Sequence, residues 1–253
     1  MKQLLIIALV CNFVLPSKLF SQKMIDQQNN AWISAFSTVK LTDKLNLKTS
    51  YQFRRNDCLK TWQQSLTRIS IDYDLDDNLS VANGYDWLIT FPYGAQPIST
   101  TVNEFRIFEQ FTLVNNIYQF NFSHRYRIEQ RITEKTVLNE NNEKEVQGYK
   151  FRQRVRYRFQ LSVPLLKNTT KQEMVYATVS DEVFLGFGKN IAKNVLDQNR
   201  IYFGLGWKFN KHYKLEAGYL NHYMIKNDGV HAELNHTAQL SAFYNFDLSS
   251  KRK

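Results

Sequence analysis

The sequence predicts an all-β protein, a transmembrane antiparallel β-barrel of the outer-membrane type. Three observations carry this prediction. Apolar and polar residues alternate along almost the whole chain, the alternating runs are about 12 to 17 residues long, and the connections between them sort into short turns and long loops.

Composition excludes several other classes of protein. With 253 residues, 43% of them hydrophobic, and only 9 Gly and 2 Cys, the chain is neither collagen-like, nor disordered, nor a disulfide scaffold. The mean hydropathy is -0.46. No apolar run reaches the roughly 18 residues that a spanning helix needs, which excludes a polytopic helical membrane protein. The length suits one large β domain.

The first 21 residues have the layout of a secretory signal peptide. A short positive start with Lys2 precedes an apolar stretch, Leu4 to Leu15, and a segment ending at Ser21, where we expect cleavage. Residues 22–253 are then expected to form a single barrel domain in the cell outer membrane. This mature chain carries a net charge of +8 and keeps Cys58 as its one cysteine, so it cannot form an intramolecular disulfide.

The alternating runs number eleven, from near Ala31 to near Phe246. Bacterial single-chain barrels have an even number of strands, so we favour twelve, with one short strand missed, over the alternative of ten. Strict alternation would point Glu109 and Asp181 toward lipid. A one-residue β-bulge near each of them is expected to turn its carboxylate inward.

Run length and connections distinguish a membrane barrel from a soluble, secreted β-sandwich, the alternative fold. Sandwich strands usually have about 5 or 6 residues, whereas tilted strands need about 9 to 11 to cross the apolar zone. Short turns are predicted at 41–44, 76–78, 115–116 and 210–212, and long loops at 90–102, 133–147 and 187–198. Aromatic residues cluster beside the short turns, as in an interfacial girdle.

The polar face of the runs carries the candidate chemistry. Two neighbouring runs, 119–131 and 150–160, place seven arginines and one glutamate on the same interior wall. Like charges repel one another, so the cluster requires carboxylates from other strands, bound anions or water. The candidate carboxylates are Glu104, Glu182, Glu216 and Asp72. The predicted solute-binding lining consists of Arg125, Arg127, Glu129, Arg131, Arg152, Arg154, Arg156, Arg158, Glu104, Arg106, Glu182 and Arg200.

Two interpretations of this lining stay open. Arginine pairs bidentately with carboxylate or phosphate, so the interior is expected to form a porin-like passage or a binding barrel for a small anionic solute. Alternatively, the charges pair among themselves and seal a closed structural or assembly barrel. The expected partners are outer-membrane lipid and the solute. Nucleic acid is not expected, because the basic residues alternate with apolar ones instead of forming an exposed patch.

Enzyme signatures are weak, and we expect no catalysis, no cofactor and no metal. The five histidines lack metal-ligand spacing with cysteines or carboxylates. Ser123 and His124 resemble the pair used by outer-membrane lipid hydrolases, but neighbouring residues of a strand point to opposite faces. A lipid-modifying hydrolase would need a serine from an adjacent strand, and it is kept as the least favoured alternative.

Several motifs together resemble one known family. They are Trp32, Tyr51-Gln52-Phe53-Arg54-Arg55, Asn83-Gly84-Tyr85, Glu104 to Gln110, His124 to Arg131, Arg154 to Arg158, Asp181 to Phe184 and Asp197 to Arg200. In this combination, over roughly Trp32 to Phe246, the chain is similar to the domain-of-unknown-function family 2490. That resemblance implies an outer-membrane barrel of the kind common in Bacteroidota, and it implies no particular activity.

Overall fold

The computed structural model describes residues 23–94, 98–168, 170, 172–191 and 193–249, so the predicted signal peptide lies outside the described residues. The described chain forms one closed sheet of eleven strands. The strands are β1 (Met24–Lys40), β2 (Leu45–Asn56), β3 (Thr61–Asp74), β4 (Leu79–Thr90), β5 (Val102–Ile117), β6 (Phe120–Leu138), β7 (Lys144–Asn168), β8 (Glu173–Phe187), β9 (Leu196–Lys208), β10 (Tyr213–Ile225) and β11 (His231–Asp247).

The closure of the sheet explains its odd number of strands. Consecutive strands pair antiparallel, but β1 and β11 run in the same direction and pair parallel, from Met24 opposite His231 to Lys40 opposite Asp247. The prediction of an all-β barrel is confirmed. The count of eleven equals the number of alternating runs, and no twelfth strand occurs in the described part of the chain. A barrel in which all neighbouring strands are antiparallel needs an even number of strands, and the parallel pairing of β1 with β11 lifts this requirement.

The two ends of the barrel differ in their connections. At one end, here the short-turn end, the connections are 41–44, 75–78, 118–119, 169–172 and 209–212. At the other, the long-loop end, they are 57–60, 91–101, 139–143, 188–195 and 226–230. The turn predicted at 115–116 lies at 118–119 because β5 continues to Ile117. The loop predicted at 133–147 is short because β6 and β7 extend further than their alternation indicates.

The period-two pattern sorts side chains between the outer wall and the interior. The outer wall exposes large apolar and aromatic side chains, whereas most buried side chains are polar or charged. Exposed examples from seven strands are Ile33, Ile69, Val81, Ile107, Ile128, Phe203, Leu205 and Leu240. No helix among the described residues is long and apolar enough to cross a membrane.

The bulges predicted near Glu109 and Asp181 are wrong. Both carboxylates stay on the exposed outer wall, and the strand registers continue without a shift at either position. Each carboxylate instead accepts a hydrogen bond from a neighbouring amide. Gln130 Nε2 lies 3.1 Å from Glu109 Oε2, and Asn199 Nδ2 lies 2.6 Å from Asp181 Oδ1. The alternation of inward and outward side chains therefore continues through both positions, and the two acidic side chains face outward.

Candidate functional site

The interior of the barrel contains an elongated cavity of about 410 Å³. Eight arginines line it, but only two glutamates do, Glu182 and Glu216. The lining arginines are Arg54, Arg68, Arg106, Arg125, Arg154, Arg156, Arg158 and Arg200. The arrangement follows from the alternation on β2, β3, β5, β6, β7 and β9, which directs these side chains inward.

One set of arginines is bound to carboxylates. Glu129, which is fully buried, accepts hydrogen bonds from Arg154 Nη2 and Arg156 Nη1, each at 2.5 Å, and Arg127 Nη1 lies 3.9 Å away. Charge-assisted bonds of this kind are the strong ones in a protein interior. Glu129 is therefore the centre of a buried ion-pair cluster.

The cluster continues toward the long-loop end. Glu104 Oε1 accepts from Arg106 Nε at 2.5 Å and from Arg131 Nε at 2.7 Å. Asp197 binds Arg154 Nη1 at 2.7 Å, which joins this part to Glu129. We call this set the carboxylate network. Its acidic members are Asp86, Glu104, Glu129, Glu182 and Asp197.

A second set of arginines has no ion pair with a carboxylate among the described residues. Arg54 donates to Gln52 Oε1 and Gln64 Oε1, both at 2.6 Å, and Arg200 donates to Gln198 Oε1 at 3.1 Å. Arg158 likewise has no carboxylate within ion-pair distance. We call Arg54, Arg158 and Arg200 the unmatched arginines.

Several buried guanidinium groups have N–H donors without a hydrogen-bond partner among the described residues. Among the cavity-lining arginines these donors are the Nε atoms of Arg54, Arg125, Arg158 and Arg200. A buried donor left unsatisfied costs about 1 to 3 kcal/mol, and more when it is charged. An oxyanion in the cavity would lie beside these four guanidinium groups and supply negative charge to them.

The count of charges leads to the same conclusion. The interior holds eleven arginines, if Arg127, Arg131 and Arg152 are added to those lining the cavity, against the five carboxylates of the network. Of the other predicted partners, Asp72 binds Lys48 at 2.6 Å. Glu216 lines the same cavity and accepts from the neutral Tyr176 hydroxyl at 2.6 Å, so it adds a sixth carboxylate to the count. The arginine region therefore carries excess positive charge.

The cavity is closed at the long-loop end. Trp32 Nε1 donates to Gln63 Oε1 at 2.8 Å, and Tyr93 Oη donates to Glu233 Oε1 at 2.9 Å. Lys226 also binds Glu233, and Gln63, Tyr93 and Glu233 are all buried. These contacts fill the barrel beneath the loops.

The opposite end of the cavity is less enclosed. Its lining continues to Gln160, Lys214 and Phe243, which lie toward the short-turn ends of their strands. All three side chains are only half-buried. The lining of the cavity is thus less buried at these three side chains than at Gln63, Tyr93 and Glu233.

All twelve predicted lining residues lie on the inner face, and most belong to the carboxylate network. Arg152 is the outlying member, since its Nη1 donates to Asn227 Oδ1 at the long-loop end. The sequence reasoning missed Arg54, Arg68 and Trp32. The alternation of the sequence already indicated two of them. Arg54 comes two residues after Gln52 on the polar face of its run, and Arg68 comes directly before Ile69, which faces outward, so both arginines are expected to face inward.

The outer wall carries His124, the histidine of the predicted Ser123–His124 comparison. His124 Nδ1 lies 2.9 Å from Tyr157 Oη, and the cross-strand partners of His124 are Leu113 and Phe159. No serine occupies a position directly opposite His124. No group of three or more metal-ligating side chains occurs in the part of the chain that the structure describes.

These features define a closed β-barrel with an arginine-lined interior. The family model described as "Protein of unknown function (DUF2490)" matches residues 29–233, so the chain belongs to that family, as its motifs indicated. No curated protein and no solved structure matches the chain.

Proposed function

We propose that this protein is an outer-membrane barrel that binds a small anionic solute in its arginine-lined cavity. The observation that carries the proposal is the presence of unmatched arginines that are buried and line a cavity, beside a carboxylate network that forms ion pairs with the other cavity-lining arginines. A guanidinium binds carboxylate or phosphate through two parallel N–H groups, so these side chains suit an oxyanion.

The outer wall supports the membrane location. Apolar side chains such as Ile107, Phe203 and Leu205 are more than half exposed around the barrel, and soluble monomers rarely expose such a large contiguous surface. Tyr73, Tyr213 and Tyr244 lie at the short-turn end, where an interfacial girdle would place them. Outer-membrane lipid is thus the proposed partner of this surface, and the amino-terminal segment supplies the export signal.

Binding is favoured over free passage. The contacts of Gln63, Tyr93 and Glu233 close the long-loop end, while the short-turn end is less enclosed. A solute would enter from the short-turn end, and passage would require these contacts to open. We propose no catalytic activity and no cofactor.

The carboxylate network favours a second candidate, a closed structural or assembly barrel. Glu129 and the guanidinium groups around it are buried inside the barrel, against the inner face of strands β5 to β8. If the interior serves only to brace the barrel, the unmatched arginines have no ligand and anions leave the protein unchanged.

Three measurements test the proposal. Cell fractionation should recover the native protein in the outer membrane, and its recovery in the soluble periplasmic fraction would overturn the location. Residues 22–253, refolded into micelles, should bind inorganic phosphate or a simple carboxylate saturably by calorimetry. In a planar bilayer under a salt gradient, any current should be anion-selective. A folded barrel that neither binds nor conducts anions would establish the structural alternative.

A further inference from the structure

The four cavity-lining arginines with unbonded Nε–H groups form two pairs, and the first pair surrounds Trp32. The guanidinium carbons of Arg54 and Arg200 lie 4.0 and 5.3 Å from the Trp32 ring centroid. His222 contacts the same ring edge-on at 5.7 Å, and its buried Nδ1 has no hydrogen-bond partner among the described residues. Trp32 itself is only 4% exposed. This pair offers several buried donors around one indole.

The second pair lies across Glu182 from the first. Arg125 and Arg158 are direct cross-strand partners on β6 and β7. Arg158 is opposite Glu182 on β8, and Glu182 is opposite Arg200 on β9. Glu182 Oε1 accepts a hydrogen bond from Arg125 Nη2 at 2.6 Å. The Nε atoms of Arg125 and of Arg158 have no hydrogen-bond partner among the described residues. A carboxylate therefore separates the two pairs within the cavity wall.

We propose that the ligand is a small molecule with two separated anionic groups, one bound beside Trp32 by Arg54 and Arg200, the other by Arg125 and Arg158. This inference rests on the proposed function and adds the class of solute. A monoanion beside Trp32 leaves Arg158 without an ion pair, and a monoanion beside Arg158 leaves Arg54 and Arg200 without one. Like-charged groups on opposite sides of Glu182 require two oxyanions at two places.

The size and lining of the cavity agree with such a ligand. A volume of about 410 Å³ lies within the range of small-molecule sites. Leu66, Phe184 and Leu220 also line the cavity, and their apolar surfaces suit a hydrocarbon spacer. A dicarboxylate with a short aliphatic chain has two anionic groups joined by an apolar spacer. A phosphate ester that also carries a carboxylate has the same arrangement.

Trp32 supplies the readout for the test. It is buried, whereas Trp62, Trp87 and Trp207 are exposed on the outer wall. The mature protein, refolded in micelles, is titrated with inorganic phosphate, with straight-chain monocarboxylates, and with succinate, glutarate and adipate. We expect one dicarboxylate to bind about tenfold or more tightly than the monocarboxylate of equal length, with a change in tryptophan fluorescence. The variant Trp32→Phe should remove that fluorescence change.

Substitutions assign the two subsites. Arg200→Gln and Arg158→Gln should each reduce the affinity for the best dicarboxylate to that of the monocarboxylate, because each removes one of the two anion sites. Arg55→Gln is the matched control. Arg55 neighbours Arg54 on β2 but contacts Phe53 and Trp62 on the outer wall, so its loss should leave binding unchanged.

The outcomes separate the inference from the proposed function. If phosphate and monocarboxylates bind but a second anionic group adds no affinity at any chain length, the two-site ligand is wrong and the anion-binding function stands. If no anion binds to a barrel that shows the electrophoretic heat-modifiability of a folded protein, both proposals fail. Calorimetry on the same samples detects anion binding that does not change the tryptophan fluorescence.

Discussion

Two regions of the same interior use arginine in opposite ways. Around Glu129, on β5 to β8, Arg154 and Arg156 are bound to carboxylates at 2.5 Å and are nearly inaccessible. Around Trp32, on β1, β2 and β9, Arg54 and Arg200 contact the indole and neutral amides instead. Arg158 and Arg200 are both directly opposite Glu182 in the strand register and yet form no ion pair with it. The comparison teaches that the group each guanidinium reaches, not the residue type or the residue directly opposite, decides whether an interior arginine braces the barrel or remains available to a ligand.

The energetic expectations for the two regions differ accordingly. Breaking a buried ion pair by removing one partner is strongly destabilising, because it leaves an uncompensated charge. Removing an unmatched arginine takes away a buried charge that has no counter-ion. The first region should therefore respond in stability, and the second in anion affinity.

The largest expected effect is that of Glu129→Gln. This substitution removes the charge that Arg154 and Arg156 share, and we expect a loss of about 3 to 5 kcal/mol in the free energy of unfolding. Urea unfolding in micelles, followed by circular dichroism, measures the loss. Glu109→Gln is the matched control, because Glu109 is exposed on the outer wall, and it should change stability by less than about 0.5 kcal/mol. Equal effects of the two substitutions would end the assignment of a structural role to Glu129.

Next in size is the effect of Arg54→Gln on phosphate binding. A hydrogen bond to a charged group contributes about 1.5 to 3 kcal/mol, so its loss should weaken phosphate binding about tenfold to a hundredfold. Stability should be unchanged or higher, because the substitution removes a buried charge. Calorimetric titration and urea unfolding of the same preparation measure both quantities. A large loss of stability with unchanged affinity would place Arg54 with the structural arginines.

A smaller effect is expected from anions on the thermal stability of the wild-type protein. A ligand that binds only the folded state stabilises it by about 1.4 kcal/mol at ten times its Kd. The apparent melting temperature should thus rise with phosphate at constant ionic strength, and the rise should disappear in the double variant Arg158→Gln, Arg200→Gln, which lacks one arginine of each proposed anion site. Persistence of the rise in that variant would indicate nonspecific stabilisation by salt.

The smallest effect is expected outside both regions, at the turn between β10 and β11. Asp228 accepts hydrogen bonds from the His231 backbone and side chain and from the Val230 backbone, and these lower its pKa to about 2. Because the pKa is lowered in the folded state, this stabilisation is present above the ordinary value of about 4 and is lost as the pH falls toward 2. Amide exchange at Val230 and His231 should accelerate over that window, and Asp228→Asn should remove the pH dependence. An unchanged exchange profile would contradict the assignment.

Much of the site was predictable because side-chain orientation along a strand has a period of two. Alternation alone placed the predicted arginines and glutamates on the inner face, and the motifs indicated the family. Glu109 and Asp181 were mispredicted because outward acidic groups can be satisfied by neighbouring amides, Gln130 and Asn199, without any bulge. No local pattern reveals such a cross-strand partner.

The sequence by itself determined the class of fold and which side chains face the interior, since both depend on a periodicity that is local to each strand. Only the tertiary structure decided that eleven strands close through a parallel contact, that Glu129 matches Arg154 and Arg156, and that Arg54 and Arg200 meet at Trp32. These features depend on the register between strands and on the closure of the sheet. Both bring together residues as distant in the chain as Arg54 and Arg200, and that pairing is not encoded in any single run.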